Sequence, residues 1–291
     1  MARTAVDLLA MKAGSERIAM ITAYDYPTAR LADAAGVDAI LVGDTLGMVV
    51  LGHDSTVPVT VADIVYHTRA VARGARDALV IGDMPFFSYQ MSDEQAMRTA
   101  ATLIQDGGAR AVKLEGGAPV ASAVRRIVAA GVPVMGHVGL TPQSVHALGG
   151  FKLQARTPAS ANRLIDDALA LEDAGAFAIV LELVPLALAE AVTRRLRIPT
   201  IGIGAGPGCD GQIQVLHDLI GLDGDPERGH RPRHAGHYAD VGVAIREAIR
   251  RYAADVRSGQ FPAPDNAFAG SAELRAFLAD GAAIRPVNPV S

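Results

Sequence analysis

Short apolar runs alternate along the chain with longer alanine-rich segments whose apolar spacing suits helices. Each run ends in or near Gly or Asp, and its hydrophobicity is continuous rather than alternating, which is typical of parallel strands buried on both faces. The runs predict eight strands, at residues 17–25, 39–44, 79–85, 111–117, 132–140, 177–185, 199–206 and 214–221.

Helices are predicted between these strands, for example at 93–107 and 161–175, and each of these two segments ends in a glycine suited to a helix cap. Eight strand–helix units without a clear reversal point favour a closed (β/α)8 TIM barrel over a doubly wound open sheet. We therefore expect an α/β fold with one catalytic barrel domain over residues 1–265. Residues 266–291 are expected to form an irregular C-terminal extension.

Composition narrows the class of protein. A length of 291 residues is enough for one barrel or two smaller domains, and a net charge of -4 with scattered signs gives no basic stripe for nucleic acid. The single cysteine, Cys209, cannot form an intramolecular disulfide. Neither a signal peptide nor an apolar stretch of membrane-spanning length is recognisable, so we expect a cytoplasmic protein without a membrane partner.

Reactive groups of a barrel lie where strands end. The predicted strands carry six ionisable residues at or near these ends: Asp44, Asp83, Lys113, Glu115, His137 and Glu182. Charges in such places are costly to bury unless they are paired or bind a cation. The carboxylates Asp44, Asp83 and Glu115 are hard oxygen ligands, which favours Mg2+ over Zn2+, with Mn2+ or Co2+ as possible substitutes. The alternative is that the two aspartates only cap the following helices.

The remaining candidates have roles that the pattern leaves open. Lys113 lies two residues before Glu115, on the same face of one strand, where it can neutralise a substrate carboxylate, form a Schiff base or make a plain salt bridge. Glu182 lies among apolar residues and is a candidate general base, or else an ion-paired carboxylate. His137 can orient a substrate, support a metal ligand or be a core histidine.

Two further segments are rich in glycine or histidine. The glycine-rich segment 201–211 lacks the residues of a phosphate-binding loop, and its glycines are better explained by tight turns. Residues 224–238 contain three histidines and are expected to form a loop after the last strand rather than a metal site.

Several phrases resemble one enzyme family throughout most of the chain. They are TAYDY (22–26), residues 41–68 beginning LVGDTLG, GDMPF (82–86), VKLEGG (112–117), GHVGLTPQSV (136–145), LELVP (181–185) and residues 201–221 beginning IGIGAGPGCDG. This set resembles the ketopantoate hydroxymethyltransferases, of the phosphoenolpyruvate/pyruvate-type barrel superfamily. Position 45 is Thr where serine is common in the family, but its hydroxyl and N–H can make the same contacts.

The resemblance implies a complete reaction. Mg2+ would be bound by Asp44 and Asp83, with Glu115 bound directly or through water, and Glu182 would accept a proton. The substrate 3-methyl-2-oxobutanoate would be held by Asp44, Thr45, Asp83 and Lys113, to which the residues themselves add His137. The resemblance further implies 5,10-methylenetetrahydrofolate as donor, 2-dehydropantoate as a product on the pantothenate and coenzyme A route, and a homodecamer.

Two other functions are weighed against this one. A lyase of the isocitrate lyase or phosphoenolpyruvate mutase type would also bind Mg2+ and a 2-oxo acid, but it would need a catalytic cysteine in a loop, whereas Cys209 lies in the glycine-rich turn. A catalytically silent barrel would have no need to keep costly charges converging.

Overall fold

The computed structural model describes residues 2–222 and 232–280. Within them, eight parallel strands pair in chain order and β8 pairs with β1, so that the sheet closes into a barrel. The strands are β1 Ile18–Thr22, β2 Ala39–Val42, β3 Leu79–Asp83, β4 Ala111–Lys113, β5 Val134–Gly139, β6 Ala178–Glu182, β7 Thr200–Ile203 and β8 Gly211–Gln214. The predicted (β/α)8 barrel is confirmed.

The chain forms two compact units, which divide after Asp240. Helices of the first unit are α1 Ala5–Ala13, α2 Tyr26–Ala34, α3 Leu46–Val49, α4 Val61–Gly74, α5 Asp93–Gln105, α6 Ala121–Ala129, α7 Val145–Leu148, α8 Pro158–Asp173, α9 Leu186–Arg195 and α10 Leu216–Leu219. The second unit contains α11 Val241–Ser258 and α12 Ala272–Ala279.

Local sequence explains where the long helices begin and end. Thr60 and Thr157 each accept a backbone N–H from the residue three positions later and close a capping box at the starts of α4 and α8. After α8 the chain turns at Gly175 with φ 96°, a conformation that glycine adopts without strain. The glycine stop predicted for this helix is therefore confirmed.

Side chains from alternate strand positions fill the barrel interior. Ile81, Ala111, Met135 and Val180 belong to this buried cluster, together with Leu8 and Met11 of α1. Strand side chains alternate between the two faces, so the inward positions two residues further along are Asp83, Lys113, His137 and Glu182. The same alternation that builds the apolar interior thus delivers polar groups to the carboxyl ends of four neighbouring strands.

The prediction of the eighth strand at 214–221 is wrong. The strand is Gly211–Gln214, in which Gly211 and Ile213 are buried and Gln212 is exposed, and residues 216–219 form α10 instead. The apolar residues after the strand, such as Leu216 and Leu219, are three residues apart, which suits a helical turn. The strand itself carries too few apolar residues to be recognised as a continuous run.

The segments beyond the last strand differ partly from expectation. Much of the 224–238 loop lies outside the described residues, and its part from 232 to 238 contains no helix or strand. The extension predicted as irregular contains α12, where Leu274, Phe277 and Leu278 repeat at helical spacing. The domain boundary at 265 stays a prediction. Every helix in the described part of the chain is too short or too polar to cross a membrane.

Candidate active site

The structure brings the six predicted ionisable residues together at the carboxyl ends of the strands. A single cavity is lined by all of them and by Thr45, the residue that precedes α3. Strand register brings these residues to the same level of the barrel, since Asp83 pairs with Lys113 across β3 and β4, and Gly139 pairs with Glu182 across β5 and β6. The convergence expected from the strand ends is thus present.

Lys113 is the central cation of the site. Its Nζ lies 3.0 Å and 3.1 Å from the two carboxylate oxygens of Asp83 and 3.5 Å from Oε1 of Glu115. Burial opposes the charged ammonium, but Asp83 and Glu115 outweigh burial and raise the pKa of Lys113. A strongly protonated amine is a poor nucleophile, so this environment favours a charge-pairing role for Lys113 over a Schiff base.

Neither aspartate caps a helix. No side-chain bond caps α3, and α5 begins after Ser92, well beyond Asp83. Asp44 instead donates its backbone N–H to Oδ2 of Asp83 at 3.2 Å and accepts a hydrogen bond on its own Oδ2. The capping alternative is therefore excluded, and both carboxylates are held inside the site.

His137 lies between two carboxylates. Its Nδ1 is 3.3 Å from Oε1 of Glu115 and its Nε2 is 3.3 Å from Oε2 of Glu182. Neither ring nitrogen makes a hydrogen bond of standard geometry among the described residues, so these are ion-pair contacts. Burial and Lys113 disfavour the imidazolium, yet Glu115 and Glu182 prevail and raise the pKa of His137 to about 9. The arrangement links the candidate base to the buried charge network.

Tyr89 and Gln143 are buried site residues that the sequence patterns did not reveal. Gln143 donates through Nε2 to Oδ2 of Asp44 at 2.9 Å, and its backbone N–H donates to Oε2 of Glu115 at 3.0 Å. The Tyr89 hydroxyl lies 2.7 Å from Oε1 of Gln143 and accepts the backbone N–H of Glu115 at 3.1 Å. The only signal in the sequence is the position of Gln143 just after β5, in the phrase GLTPQ.

The site carries more buried negative charge than its lysine balances. Burial, with Asp83 and Glu115 nearby, raises the pKa of Asp44 well above its usual value, and burial raises that of Asp83 as well. Lys113 and His137 hold the pKa of Glu115 below its usual value, although burial opposes them. Asp44 and Asp83 are thus the two carboxylates that lack sufficient positive charge.

This excess charge fits a divalent cation. In the part of the chain that the structure describes, no three histidine, cysteine, aspartate or glutamate side chains are arranged to hold a metal ion. Mg2+, however, usually takes only one or two protein carboxylates and completes its sphere with water and substrate. Asp44 and Asp83 supply two such carboxylates, of which Asp83 also contacts Lys113 through both oxygens. The oxygens of Glu115 contact Lys113, His137 and Gln143. The ligand set of Asp44, Asp83 and Glu115 stays a prediction.

The glycine-rich segment forms turns around a buried thiol. Gly204 and Gly206 have φ values of 64° and 82°, which agrees with the tight turns expected there. Cys209 lies in this turn, is a free cysteine and is completely buried. It is not among the residues that line the cavity.

The chain resembles several proteins of known structure in fold. In fold it resembles a phosphonopyruvate hydrolase solved with oxalate and Mg2+ (TM-score 0.59, 15% identity, 96% of each chain). It also resembles 2,3-dimethylmalate lyase, a PEP mutase/isocitrate lyase superfamily member (TM-score 0.57, 19% identity, 97% of this chain and 96% of the other). At these identities the likeness shows the fold alone.

Sequence similarity is far stronger to a different group. The chain is 58% identical over 260 residues to the 3-methyl-2-oxobutanoate hydroxymethyltransferase of Chloroflexus aurantiacus, covering 89% of this chain and 90% of that protein. It is 55% identical over 268 residues to the enzyme of the same name from Dehalococcoides mccartyi, covering 92% and 95%. The family model for ketopantoate hydroxymethyltransferase matches residues 2–264. The chain therefore belongs to the ketopantoate hydroxymethyltransferase family.

Proposed function

We propose that this enzyme transfers a hydroxymethyl group from 5,10-methylenetetrahydrofolate to 3-methyl-2-oxobutanoate in a Mg2+-dependent reaction that yields 2-dehydropantoate. The observation that carries the proposal is one cavity in which Lys113 and the His137–Glu182 pair converge with Asp44 and Asp83, the two aspartates whose negative charge is not fully balanced. Such a site suits a small anion with adjacent carboxylate and 2-oxo groups.

Each predicted site residue has a defined task in this proposal. Lys113 neutralises the substrate carboxylate, and Thr45 and His137 orient the substrate by hydrogen bonds. Asp44 and Asp83 would hold Mg2+ directly, and Glu115 would hold it directly or through water. A bound Mg2+ supplies positive charge beside the 2-oxo and carboxylate oxygens.

Glu182 removes the C3 proton of the substrate. Its side chain is 15% exposed, compared with 3% for His137 beside it, so its carboxylate can reach a molecule in the cavity. The resulting carbanion equivalent forms a carbon–carbon bond to the folate methylene carbon, while both carbon–nitrogen bonds of that methylene break. One water supplies the hydroxyl oxygen, and its second proton and the C3 proton end on the two folate nitrogens, which balances the reaction.

A lyase function is the alternative considered on the same barrel fold. It would need a cysteine at the reaction centre, but Cys209 is buried in the turn after β7 and does not line the cavity. The family match favours the transferase. Homodecamer assembly and a cytoplasmic location are further expectations, and light scattering of the purified protein tests the assembly.

The test compares wild type with Glu182→Gln and with Glu94→Gln, a matched change at an exposed ion pair on α5. We would measure 2-dehydropantoate formation with Mg2+ or with a chelator, and deuterium exchange at C3 without folate. We expect metal-dependent product formation and exchange in wild type and Glu94→Gln, and loss of both in Glu182→Gln. Product formation that survives Glu182→Gln would refute the base assignment, and inactivity of folded, Mg2+-loaded wild type would refute the function.

A further inference from the structure

Gln143 connects two carboxylates of the site. Its side-chain Nε2 is 2.9 Å from Oδ2 of Asp44, and its backbone N–H reaches Oε2 of Glu115 at 3.0 Å. The residue is 3% exposed, and Asp44 and Glu115 are 2% and 5% exposed. Gln143 comes from the β5–α7 connection, so one residue fixes carboxylates that follow β2 and β4.

The orientation of the Gln143 amide is determined by its neighbours. Nε2 also donates to the carbonyl oxygen of Met84 at 2.9 Å, so its two protons face a carbonyl and a carboxylate, both of which accept. Oε1 faces the Tyr89 hydroxyl at 2.7 Å, which can donate. A flipped amide would place Oε1 against the Met84 carbonyl and the Asp44 carboxylate, both of which only accept, so the observed orientation is the satisfied one.

Tyr89 holds this amide in place. The tyrosine is 2% exposed, and its hydroxyl accepts the backbone N–H of Glu115 at 3.1 Å. Its own proton has two acceptors in reach, Oε1 of Gln143 at 2.7 Å and the carbonyl oxygen of Glu115 at 2.9 Å, of which Oε1 is the nearer. The order of donors therefore runs from Glu115 N–H to Tyr89, and the amide of Gln143 donates in turn to Asp44. A fully satisfied buried network of this kind restricts each member to one rotamer.

As a consequence, the two carboxylate oxygens of Asp44 differ in their contacts. Oδ2 is occupied by Gln143, whereas Oδ1 has no hydrogen bond among the described residues. Nothing in the network is required to close the barrel, since all its side-chain contacts lie beyond the strand ends. Hydrogen-bond partners of a metal-binding carboxylate typically change metal affinity by a factor of about 10 to 100.

We propose that Gln143 is a positioning residue for the divalent cation: held by Tyr89, it fixes the Asp44 carboxylate so that Oδ1 is presented to the ion. The inference rests on the proposed Mg2+-dependent function and adds to it a supporting pair, Tyr89 and Gln143. Substrate would be affected through the ion, because neither side chain lines the cavity.

The test measures Mn2+ binding directly by electron paramagnetic resonance on full-length, metal-free protein, so that it does not depend on turnover. Variants are Gln143→Leu, Tyr89→Phe and Gln105→Glu, a control at an exposed glutamine of α5. We expect the Mn2+ dissociation constant to rise about 10- to 100-fold in Gln143→Leu. Tyr89→Phe should give a smaller rise, because Nε2 of Gln143 keeps its acceptors, and Gln105→Glu should match wild type.

Steady-state kinetics separates positioning from general damage. At saturating Mn2+, both variants should recover most of the wild-type kcat, which a merely structural defect would not allow. Tyr89→Phe keeps the inference testable if Gln143→Leu fails to fold. Unchanged Mn2+ affinity in folded Tyr89→Phe or Gln143→Leu, with normal wild-type binding, would overturn this inference alone. Wild-type protein that binds no Mn2+ would overturn both the inference and the metal dependence of the proposed function.

Discussion

Gly139 lies opposite Glu182 in the β5–β6 ladder, and a Cβ atom at Gly139 would lie 2.3 Å from the carbonyl oxygen of Glu182. The close approach involves backbone, which cannot rotate away as a side chain can. Gly139 also has φ 99°, a conformation that residues with a Cβ rarely adopt. The glycine therefore allows the candidate base to take its position.

From this we predict that Gly139→Ala loses activity by displacing Glu182. Gly131→Ala is the matched control, because Gly131 has φ 91° but nothing within 4 Å of an added Cβ. Both variants should lose stability by about 1–2 kcal/mol from the backbone conformation alone. Urea unfolding and the transfer assay measure the two effects. Full activity in Gly139→Ala would contradict the prediction.

Much of the fold could be predicted because seven strands are continuous apolar runs, and burial on both faces produces such runs directly. The eighth could not, because GQIQ contains only one large apolar residue, whereas the apolar residues that follow it belong to a helix. The site followed from the same logic where a polar residue ends a strand. Gln143 and Tyr89 were not predicted, because their role depends on hydrogen bonds between distant residues, which no local pattern encodes. Tyr89 and Gln143 are 54 positions apart in the sequence, and Gln143 and Asp44 are 99 apart.

Removing the central cation of the site should destabilise the fold. In Lys113→Met, the buried carboxylates of Asp83 and Glu115 lose their shared partner, and we expect a loss of about 3–5 kcal/mol at neutral pH. The control Arg98→Met breaks an exposed ion pair with Glu94 and should cost less than about 1 kcal/mol. Urea unfolding of wild type and both variants measures the two losses in the free energy of unfolding. Equal stability losses would show that Asp83 and Glu115 are neutral or solvated without the lysine.

Asp33 should make stability depend on pH in the acid range. Partial burial opposes its charge, but the backbone N–H groups of Ala78, Arg76 and Asp77 prevail and lower the pKa of this carboxyl below its usual value. A lowered folded-state pKa means that the charged form stabilises the fold above the unfolded value, and that this contribution is lost as pH falls through the folded value. Asp33→Asn should therefore be less stable than wild type at pH 7, with a gap that closes on acidification.

The measurement for Asp33 is urea unfolding of wild type and Asp33→Asn from pH 7 down to about pH 3, the range in which unfolded aspartate titrates. Asp106→Asn changes an exposed aspartate after α5 and should follow wild type at every pH. A stability gap for Asp33→Asn that stays constant across this range would show that the contribution does not come from the charged carboxylate.

Cys209 distinguishes the transferase from a cysteine-dependent lyase. Its thiol is completely buried, and burial raises its pKa, so it should be unreactive in the native protein. We expect a chromogenic disulfide reagent to label the native enzyme slowly, without loss of activity before unfolding, and to label one thiol rapidly in denaturant. Cys209→Ala should retain kcat, because the thiol does not line the cavity. Loss of turnover in folded Cys209→Ala, with Mn2+ affinity unchanged, would instead place a cysteine in the chemistry and favour the lyase.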